Sequence, residues 1–354
     1  MHTIVITGGH HNSALVVARE IIARGHQVIW IGHRYSSRGD TVDSAEYVEV
    51  TAAGIPFHDL VAAKLLPSLT ELIRFPTGLF KTLTLLKTLR PTAVLSFGGY
   101  LGGTVALVGK YLHIPIYLHE QTVTAGRANK LIGKLSRHIF LTWPQSAKYF
   151  DKVKTEIVGL PLRPGIFSAK AKKLFTRHKP TLLVMGGKQG AHVINQFVFT
   201  NLDSLLTSFN IVHQTGTSSL TRDYDKALAL KNSLKSLSDC YLPQGYVTES
   251  EIGQYLQSSD IYLGRSGAHI CYELGVIGKP SILVPLMSTH DFEQQKNAKI
   301  LVDAKLGSII YESSLSFENV QKSYLALSKI KPKTIALPRN ASTILVDHLL
   351  ADLH

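Results

Sequence analysis

Short apolar runs alternate with amphipathic helical patterns along the chain. In the first half, the apolar runs predict strands at 3–7, 27–31, 93–97, 114–118 and 139–142. The segment 13–23 has its apolar residues on one helical face and predicts a helix between the first two strands. Strands that alternate with helices are typical of a parallel sheet covered by helices.

The same alternation restarts after a segment that cannot continue a regular element. Residues 159–165 contain two Pro and two Gly, which interrupt both helix and strand. Beyond them the pattern predicts strands at 181–185, 211–213, 261–263, 281–284 and 308–311, and helices at 191–199, 250–257, 268–276 and 292–302. We therefore predict domains over 1–160 and 161–335, and a C-terminal helix within 336–354 that packs back towards the first domain.

This organisation predicts an α/β fold of two Rossmann-like, doubly wound domains. In such sheets, ligands bind outside the carboxyl ends of the strands. We therefore expect the two domains to face a central cleft lined by the loops that follow their strands.

Composition narrows the classes of function. The 38 basic and 25 acidic residues give a net charge of +13, which favours anionic partners. The basic residues are scattered rather than gathered in an arm, so we expect no nucleic acid. Cys240 and Cys271 lack CxxC spacing, and no leader or membrane-spanning run is evident, so we expect a cytosolic protein.

Three glycine-rich loops share one design, in which a strand is followed by glycines and then by a helix. They occupy 7–10, 97–103 and 186–191. Glycines let a backbone approach a phosphate closely, and a helix N-terminus supplies amide donors. The alternative is that the glycines only make tight turns. None of the loops is a full GxGxxG or a GK[ST] loop, which disfavours dehydrogenases and NTPases.

A fourth loop, 264–268, follows an apolar strand and precedes a helix. We predict that Ser266 caps this helix while Gly267 and Ala268 offer amides to a diphosphate. Glu273, farther along the same helix, is placed to accept hydrogen bonds from ribose hydroxyls. Alternatively, it is a solvated helix glutamate.

These loops and their neighbours match one family pattern in order along the chain. The matching residues are Phe97-Gly98-Gly99-Tyr100, His119-Glu120-Gln121 with Ala125-Gly126 and Asn129-Lys130, Gly186-Gly187-x-Gln189-Gly190-Ala191 with Asn195, Arg265-Ser266-Gly267-Ala268 with Glu273, and Asp291-x-x-Gln294-Gln295-x-Asn297-Ala298. Together they resemble the MurG family of UDP-GlcNAc:lipid-linked N-acetylmuramyl-pentapeptide transferases of peptidoglycan synthesis.

The resemblance implies an inverting glycosyltransferase of the GT-B architecture that moves GlcNAc from UDP-GlcNAc to a polyprenyl-diphosphate-linked muramyl-peptide. It implies a donor site in the second domain, formed by Arg163, Gly187, Lys188, Gln189, Gly190, Asn195, Ser266, Gly267, Ala268, Glu273, Gln294 and Gln295. It also implies an acceptor site in the first domain, formed by Gly8, Gly9, Gly98, Gly99, Tyr100, Thr122 and Asn129.

Inverting transfer needs a base for the acceptor hydroxyl and groups that stabilise the departing diphosphate. His10, at the first glycine loop, is a candidate base, or it binds phosphate or caps the helix. His119 and Glu120 are either catalytic or hold their loop in shape. The chain departs from the family pattern at its shortened first loop, at Thr122 in place of Asn, and at Lys188 in place of Ser.

Residues 64–90 interleave basic side chains with large apolar ones. Such a segment favours peripheral contact with anionic lipid, or is an ordinary amphipathic helix packed on the sheet. A lipid-linked acceptor favours the former, so we expect the protein at the cytoplasmic face of the plasma membrane.

The remaining signals argue against a metal. Asp223-Tyr224-Asp225 spells a DxD motif, yet it precedes a Lys-rich helical pattern, and we predict a solvated surface. The histidines show no paired-ligand spacing, so we expect no metal cofactor. The alternatives that stay open are a UDP-GlcNAc 2-epimerase, another lipid-linked glycan glycosyltransferase, and a non-catalytic UDP-sugar-binding scaffold.

Overall fold

The computed structural model describes residues 1–35, 43–60, 69–163, 165–187, 189–288, 292–331 and 333–353, with only the backbone described at 69–75 and 249–250. These residues form two compact units. The first comprises Met1–Leu162 with Pro338–His354, and the second comprises Arg163–Leu337.

The apolar runs of the first unit form one parallel sheet. Its strands are β1 (Thr3–Thr7), β2 (Gln27–Gly32), β3 (Phe57–Asp59), β4 (Ala93–Ser96), β5 (Ile116–Glu120), β6 (His138–Leu141) and β7 (Thr155–Ile157), in the spatial order β3-β2-β1-β4-β5-β6-β7. The helices between them are α1 (His11–Ala23), α2 (Ala45–Ala52), α3 (Leu69–Leu89), α4 (Gly99–Tyr111) and α5 (Arg127–Leu135). The central strands are apolar on both sides because helices cover both faces of the sheet.

The second unit repeats this design with six parallel strands. They are β8 (Thr181–Met185), β9 (Asn210–Gln214), β10 (Tyr241–Gln244), β11 (Ile261–Gly264), β12 (Ser281–Leu283) and β13 (Gly307–Ile309), in the order β10-β9-β8-β11-β12-β13. Its helices are α6 (Gly165–Ser168), α7 (His192–Thr200), α8 (Leu202–Ser208), α9 (Asp223–Ser233), α10 (Glu249–Ser258), α11 (Ala268–Ile277), α12 (Glu293–Asp303) and α13 (Phe317–Ser328).

The last helix, α14 (Ala341–Ala351), belongs to the first unit. It packs against α1, and its Leu345, Val346 and Leu349 are buried in the core that the sheet shares with α1. An ion pair between Asp347 and Arg24, the residue that follows α1, supplements this apolar contact.

In both sheets, successive strands are added first towards one edge and then, from the centre, towards the other edge. The reversals fall between β1 and β4 and between β8 and β11. Loops at such a switch point diverge to opposite faces of the sheet and leave a crevice at the carboxyl ends of the strands. All four of the predicted glycine loops follow one of these four strands, so the topology collects them at the two switch points.

The predicted class, two Rossmann-like doubly wound domains, is confirmed by these two wholly parallel sheets. The sequence missed β3, β7 and β10, which all lie at sheet edges. An edge strand has a neighbour on one side only and is short here, so it leaves little apolar signal. Among the helices that the structure describes, none combines the length and the apolarity needed to cross a membrane.

Candidate functional site

In the second unit, the N-terminus of α11 lies directly after β11. Its N-cap is Gly267, and no described side chain accepts a hydrogen bond there. The prediction that Ser266 caps this helix is wrong, because the buried Ser266 hydroxyl instead donates to the Gln294 carbonyl at 2.8 Å. The first amides of a helix have no acceptor within it. Gly267 and Ala268 therefore present donors and a positive dipole end at the switch point.

Gly267 also differs from the packed glycines of the unit. Its φ of −62° is ordinary, and a Cβ built there would meet no atom within 4 Å. The chain's own packing therefore gives no reason for glycine at this position. Glycine is a favoured N-cap residue, and its lack of a side chain leaves the first amides of α11 open to close approach.

The second turn of α11 carries a buried ion pair. Glu273 is almost fully buried, and its Oε1 accepts a hydrogen bond from Arg163 Nη2 at 3.1 Å. His269, one turn earlier, lies 3.5 Å from the same oxygen. Burial by itself raises the pKa of Glu273, but His269 and Arg163 outweigh it and hold the pKa below its ordinary value. The side chain is thus not the solvated helix glutamate of the alternative.

The loop after β8 is fixed by backbone packing. A Cβ on Gly190 would lie 1.8 Å from the Thr215 carbonyl oxygen, and one on Gly216 would lie 2.1 Å from the Gln189 carbonyl oxygen. Both glycines also have positive φ. The two loops therefore touch backbone to backbone, while Gly187 and Gln189 stay exposed beside them. Lys188 lies outside the described residues.

Asn195, in contrast, is turned into the protein. The residue is 1% exposed, and its Nδ2 donates to the Thr215 carbonyl at 2.8 Å and to Asp223 at 2.7 Å. Its Oδ1 lies 3.0 Å from His213 Nε2. Burial lowers the pKa of His213 to about 3, so the ring is neutral and bridges Asn195 to the Tyr241 hydroxyl. Asn195 supports the loop from beneath.

Asp223 corrects another prediction. The DxD segment was predicted to be a solvated surface, yet Asp223 is 2% exposed and accepts hydrogen bonds from Asn195 and His192. Only Asp225 of the pair is exposed. The apolar residues of α9 do not define one clear face, so the sequence pattern did not decide whether the first residue of this helix points inward or outward.

The start of α12 lies against the same switch point. Gln294 Oε1 accepts from the Leu286 amide at 3.0 Å, and Gln295 contacts the Met287 sulfur. Asn297 is buried and donates to the Ser266 carbonyl at 3.2 Å. These contacts tie α12 to the loop that begins α11.

In the first unit, the loops after β1 and β4 touch each other. The Gly9 amide donates to the Gly98 carbonyl at 3.2 Å, and a Cβ on Gly8 would lie 2.5 Å from that carbonyl oxygen. Gly98 has a φ of +89° and lies against Asn129. Gly9 and Gly99 are exposed.

A buried carboxylate holds this pair of loops. Glu120, at the end of β5, accepts hydrogen bonds from the Thr122 amide and hydroxyl, both at 2.9 Å, and from Asn129 Nδ2 at 2.7 Å. Asn129 Oδ1 in turn accepts from the Gly99 amide at 3.0 Å. Glu120, Thr122 and Asn129 are all buried. This arrangement favours the alternative in which Glu120 holds the loop.

His119 and His10 occupy different environments. His119 is fully buried, with Nε2 3.1 Å from the Gly159 carbonyl oxygen and the ring against Phe97. His10 is only half-buried at the start of α1. Tyr100, at the start of α4, is also half-buried and stacks on His33. Among these three, only His10 and Tyr100 have access to solvent.

Two family models together match most of the chain. Residues 3–141 match the model of the glycosyltransferase family 28 N-terminal domain, and residues 181–347 match that of the family's C-terminal domain.

The chain belongs to glycosyltransferase family 28.

Curated family 28 relatives agree with this assignment and confirm the resemblance drawn from the motifs. A protein of Anaeromyxobacter sp. (strain K) is 31% identical over 324 residues, which are 88% of this chain and 80% of the relative. A Clostridium tetani protein is 28% identical over 346 residues, 90% of this chain and 91% of the relative. Both are named UDP-N-acetylglucosamine--N-acetylmuramyl-(pentapeptide) pyrophosphoryl-undecaprenol N-acetylglucosamine transferase.

Solved structures share the fold at lower identity. The crystal structure of Acinetobacter baumannii MurG has a TM-score of 0.70 and 21% identity, covering 99% of this chain and 100% of that one. UDP-GlcNAc 2-epimerase from Neisseria meningitidis has a TM-score of 0.67 and 15% identity, with the same coverage. The fold by itself is therefore common to transferases and epimerases.

Sequence reasoning missed three supporting residues of this family 28 site. His269 faces Glu273 from one turn away, a spacing visible in the sequence. Asp223 and His213 support Asn195 from other elements. Only the sheet order brings these last two together, so no local pattern signals them.

We expect Glu273→Gln to lower the free energy of unfolding at neutral pH by about 1.5–3 kcal/mol, because Arg163 loses a charged acceptor. The folded pKa of Glu273 lies below its ordinary value of 4.5. Its contribution is therefore fully present above about pH 4.5 and is lost as the pH falls through the folded pKa. Urea unfolding at a series of pH values measures this difference.

Asp303→Asn, at an exposed position on α12, is the control and should change the stability by less than about 0.5 kcal/mol. A difference between Glu273→Gln and the unsubstituted protein that grows towards low pH would contradict the expectation.

Proposed function

We propose that this chain transfers GlcNAc from UDP-GlcNAc to an undecaprenyl-pyrophosphate-linked N-acetylmuramyl-pentapeptide, the step that converts lipid I into lipid II in peptidoglycan synthesis. The relatives named for this reaction span nine-tenths of the chain and support it. The single structural observation that carries the proposal is the N-terminus of α11, where no described side chain caps the helix, with the Arg163–Glu273 pair behind it.

The donor diphosphate is proposed to bind at this N-terminus. The amides of Gly267 and Ala268 and the dipole of α11 favour a dianion there. Charge builds up on the diphosphate as the bond to the sugar breaks, so donors fixed in advance stabilise the transition state more than the ground state. Arg163 and the amides supply this stabilisation, and the proposal assigns no metal to the reaction.

The ribose is proposed to bind Glu273. Both described contacts of its carboxylate, from Arg163 and His269, are made to Oε1. This leaves Oε2 as the acceptor for ribose hydroxyls. The lowered pKa keeps the group ionised at neutral pH, and an ionised carboxylate is the stronger acceptor.

The remaining donor contacts are proposed at exposed or half-buried positions of the second unit. Gly187 and Gln189, in the loop after β8, contact the ligand. Gln294 and Gln295 form hydrogen bonds with the GlcNAc hydroxyls. Asn195 and Ser266 are buried and act by fixing these loops.

The acceptor diphosphate is proposed to bind the loops of Gly9 and Gly99 in the first unit, beside Tyr100. His10 is the proposed base. It removes the proton of the acceptor hydroxyl as the oxygen attacks the anomeric carbon of GlcNAc and UDP departs from the opposite face. The buried residues Glu120, Thr122 and Asn129 hold these loops in shape, and His119 supports them from the core.

Incubation of the purified protein with labelled UDP-GlcNAc and a short-chain muramyl-pentapeptide diphosphate lipid should yield a labelled disaccharide lipid and one UDP for each product. UDP release should depend on the acceptor. A product epimerised at C2 without acceptor, or tight UDP-GlcNAc binding without turnover on this lipid, would each refute the proposal.

His10→Gln and Glu273→Ala should separate chemistry from binding. Loss of a general base lowers kcat by about 10²–10⁴-fold, while UDP affinity measured by calorimetry stays within about twofold. Glu273→Ala should weaken UDP binding by about tenfold or more, the equivalent of one charged hydrogen bond. His178→Gln, at an exposed position of the second unit, should leave both unchanged. Equal, small effects of both variants would contradict the assigned roles.

We further propose that the protein binds anionic lipid at the cytoplasmic face of the membrane through residues 64–90. Residues 61–68 lie outside the described residues. Between α3 and α4 lies an apolar groove of about 490 Å³. Its lining residues are Pro76, Leu79, Phe80 and Leu83 from α3, and Leu107, Val108 and Tyr111 from α4. Phe80 and Tyr111 are 69% and 72% exposed, and basic residues such as Lys81 and Lys110 lie beside them in sequence. Apolar and basic groups together favour an anionic bilayer surface.

The double variant Phe80→Asp/Tyr111→Asp should reduce sedimentation with anionic liposomes at least tenfold without unfolding the protein, because both side chains are exposed. The matched control, Val153→Asp/Leu220→Asp, makes the same charge change at positions that are 93% and 95% exposed. Equal sedimentation of the two variants would show that net charge, not this groove, drives the association.

A further inference from the structure

Two histidines and a glutamate converge at the edge of the first sheet, away from its glycine loops. His138 begins β6, Glu156 is the middle residue of the edge strand β7, and His348 lies on α14. One ligand atom of each side chain lies within 4.8 Å of the corresponding atoms of the other two. Three elements that are distant in sequence thus bring three metal-ligating groups to one point.

The geometry of the three groups is close to that of a coordination sphere. His348 Nε2 lies 2.9 Å from Glu156 Oε1, and His138 Nε2 lies 3.4 Å from Glu156 Oε2. Ligand atoms about 2.0–2.2 Å from a tetrahedral zinc ion lie roughly 3.3–3.5 Å from one another. The separations of 2.9 Å and 3.4 Å, with all three ligand atoms within 4.8 Å of one another, bracket this spacing, so side-chain rotation can bring two imidazole nitrogens and one carboxylate oxygen around a single ion.

Packing holds the imidazoles in this arrangement. The rings of His138 and His348 stack with centroids 5.9 Å apart, and Phe140 contacts both. The Nε2 atom of His138 is buried, and it lies 3.4 Å from Glu156 Oε2 without making a hydrogen bond among the described contacts. A buried ring nitrogen that makes no hydrogen bond is costly, and a metal ion would satisfy it.

The backbone beneath the three groups is also fixed. His348 follows Asp347, which pairs with Arg24, and the next residue, Leu349, is buried in the core. Asp352, beyond the helix, accepts from the Tyr117 hydroxyl and pairs with Arg137, each at 3.1 Å. Ligands that are positioned in advance lose less conformational entropy when they bind.

We propose that His138, Glu156 and His348 bind a divalent transition metal of the zinc class and thereby fasten α14 to the edge of the first sheet. Two imidazole nitrogens and one carboxylate oxygen suit Zn²⁺, with water completing the coordination. The three side chains are 27%, 31% and 47% exposed, in chain order, so the ion and its water can reach them. The three ligands share no local spacing, so the pattern of histidines along the chain predicted no metal.

The test is titration of chelator-treated full-length protein with Zn²⁺ by calorimetry. The protein should bind one equivalent, and His348→Ala and Glu156→Gln should each weaken binding by at least about 10–100-fold, since even an outer-shell partner is worth that much. His178→Ala removes an exposed histidine elsewhere and should bind as the unsubstituted protein does.

A second readout locates the ion. Zn²⁺ should slow amide hydrogen exchange in 341–351 of the unsubstituted protein and of His178→Ala, but not of His348→Ala, because binding stabilises only the state in which the ligands are assembled. Cobalt in place of zinc should show no thiolate charge-transfer band, since both cysteines are buried elsewhere.

Equal zinc affinity in the unsubstituted protein and His348→Ala would overturn the proposal, as would slowed exchange confined to other segments. If the unsubstituted protein did not bind zinc, the proposal would be wrong, and the cluster would be no more than two His–Glu ion pairs.

Discussion

The close approach of backbone to backbone at the carboxyl ends of the central strands is the constraint on which both units depend. At Gly190 and Gly216, and at Gly8 and Gly98, a side chain would overlap a neighbouring carbonyl or side chain. These contacts bring the loops that follow adjacent strands into one surface at each switch point. The residues proposed to bind the ligands lie on these surfaces, and their positions therefore follow from contacts that only glycine permits.

Beneath each surface lies a buried polar network. In the first unit, Glu120 connects Thr122, Asn129 and Gly99. In the second, Asp223 and His213 hold Asn195 under the Thr215 loop. Buried polar groups are costly unless their partners are in place, so such networks favour one loop conformation strongly over others. Several residues that the family motif contains thus support the site from below, while their exposed neighbours are left to contact ligands.

The buried pair of Arg163 and Glu273 is a further case of a buried group that supports the proposed ligand site, and here the support is electrostatic. Taking a carboxylate out of water is unfavourable, and here Arg163 and His269 compensate for it. The pairing keeps the Glu273 carboxyl ionised at the second turn of α11, while the helix N-terminus presents positive partial charges one turn away. A nucleoside diphosphate matches this pattern, with phosphates at the N-terminus and sugar hydroxyls at the carboxylate.

The sequence by itself determined the two doubly wound domains, the central strands and the glycine loops, because strands buried on both faces leave continuous apolar runs and tight loops require glycine. It could not determine the edge strands, the inward turn of Asp223, or whether Glu120 contacts ligand or loop. Nor could it bring His138, Glu156 and His348 together. Those outcomes depend on strand order and on where a helix packs, which are set by the sum of many weak contacts between residues distant in the chain. Local patterns record which residues are apolar, and only the tertiary structure decides which of them become neighbours.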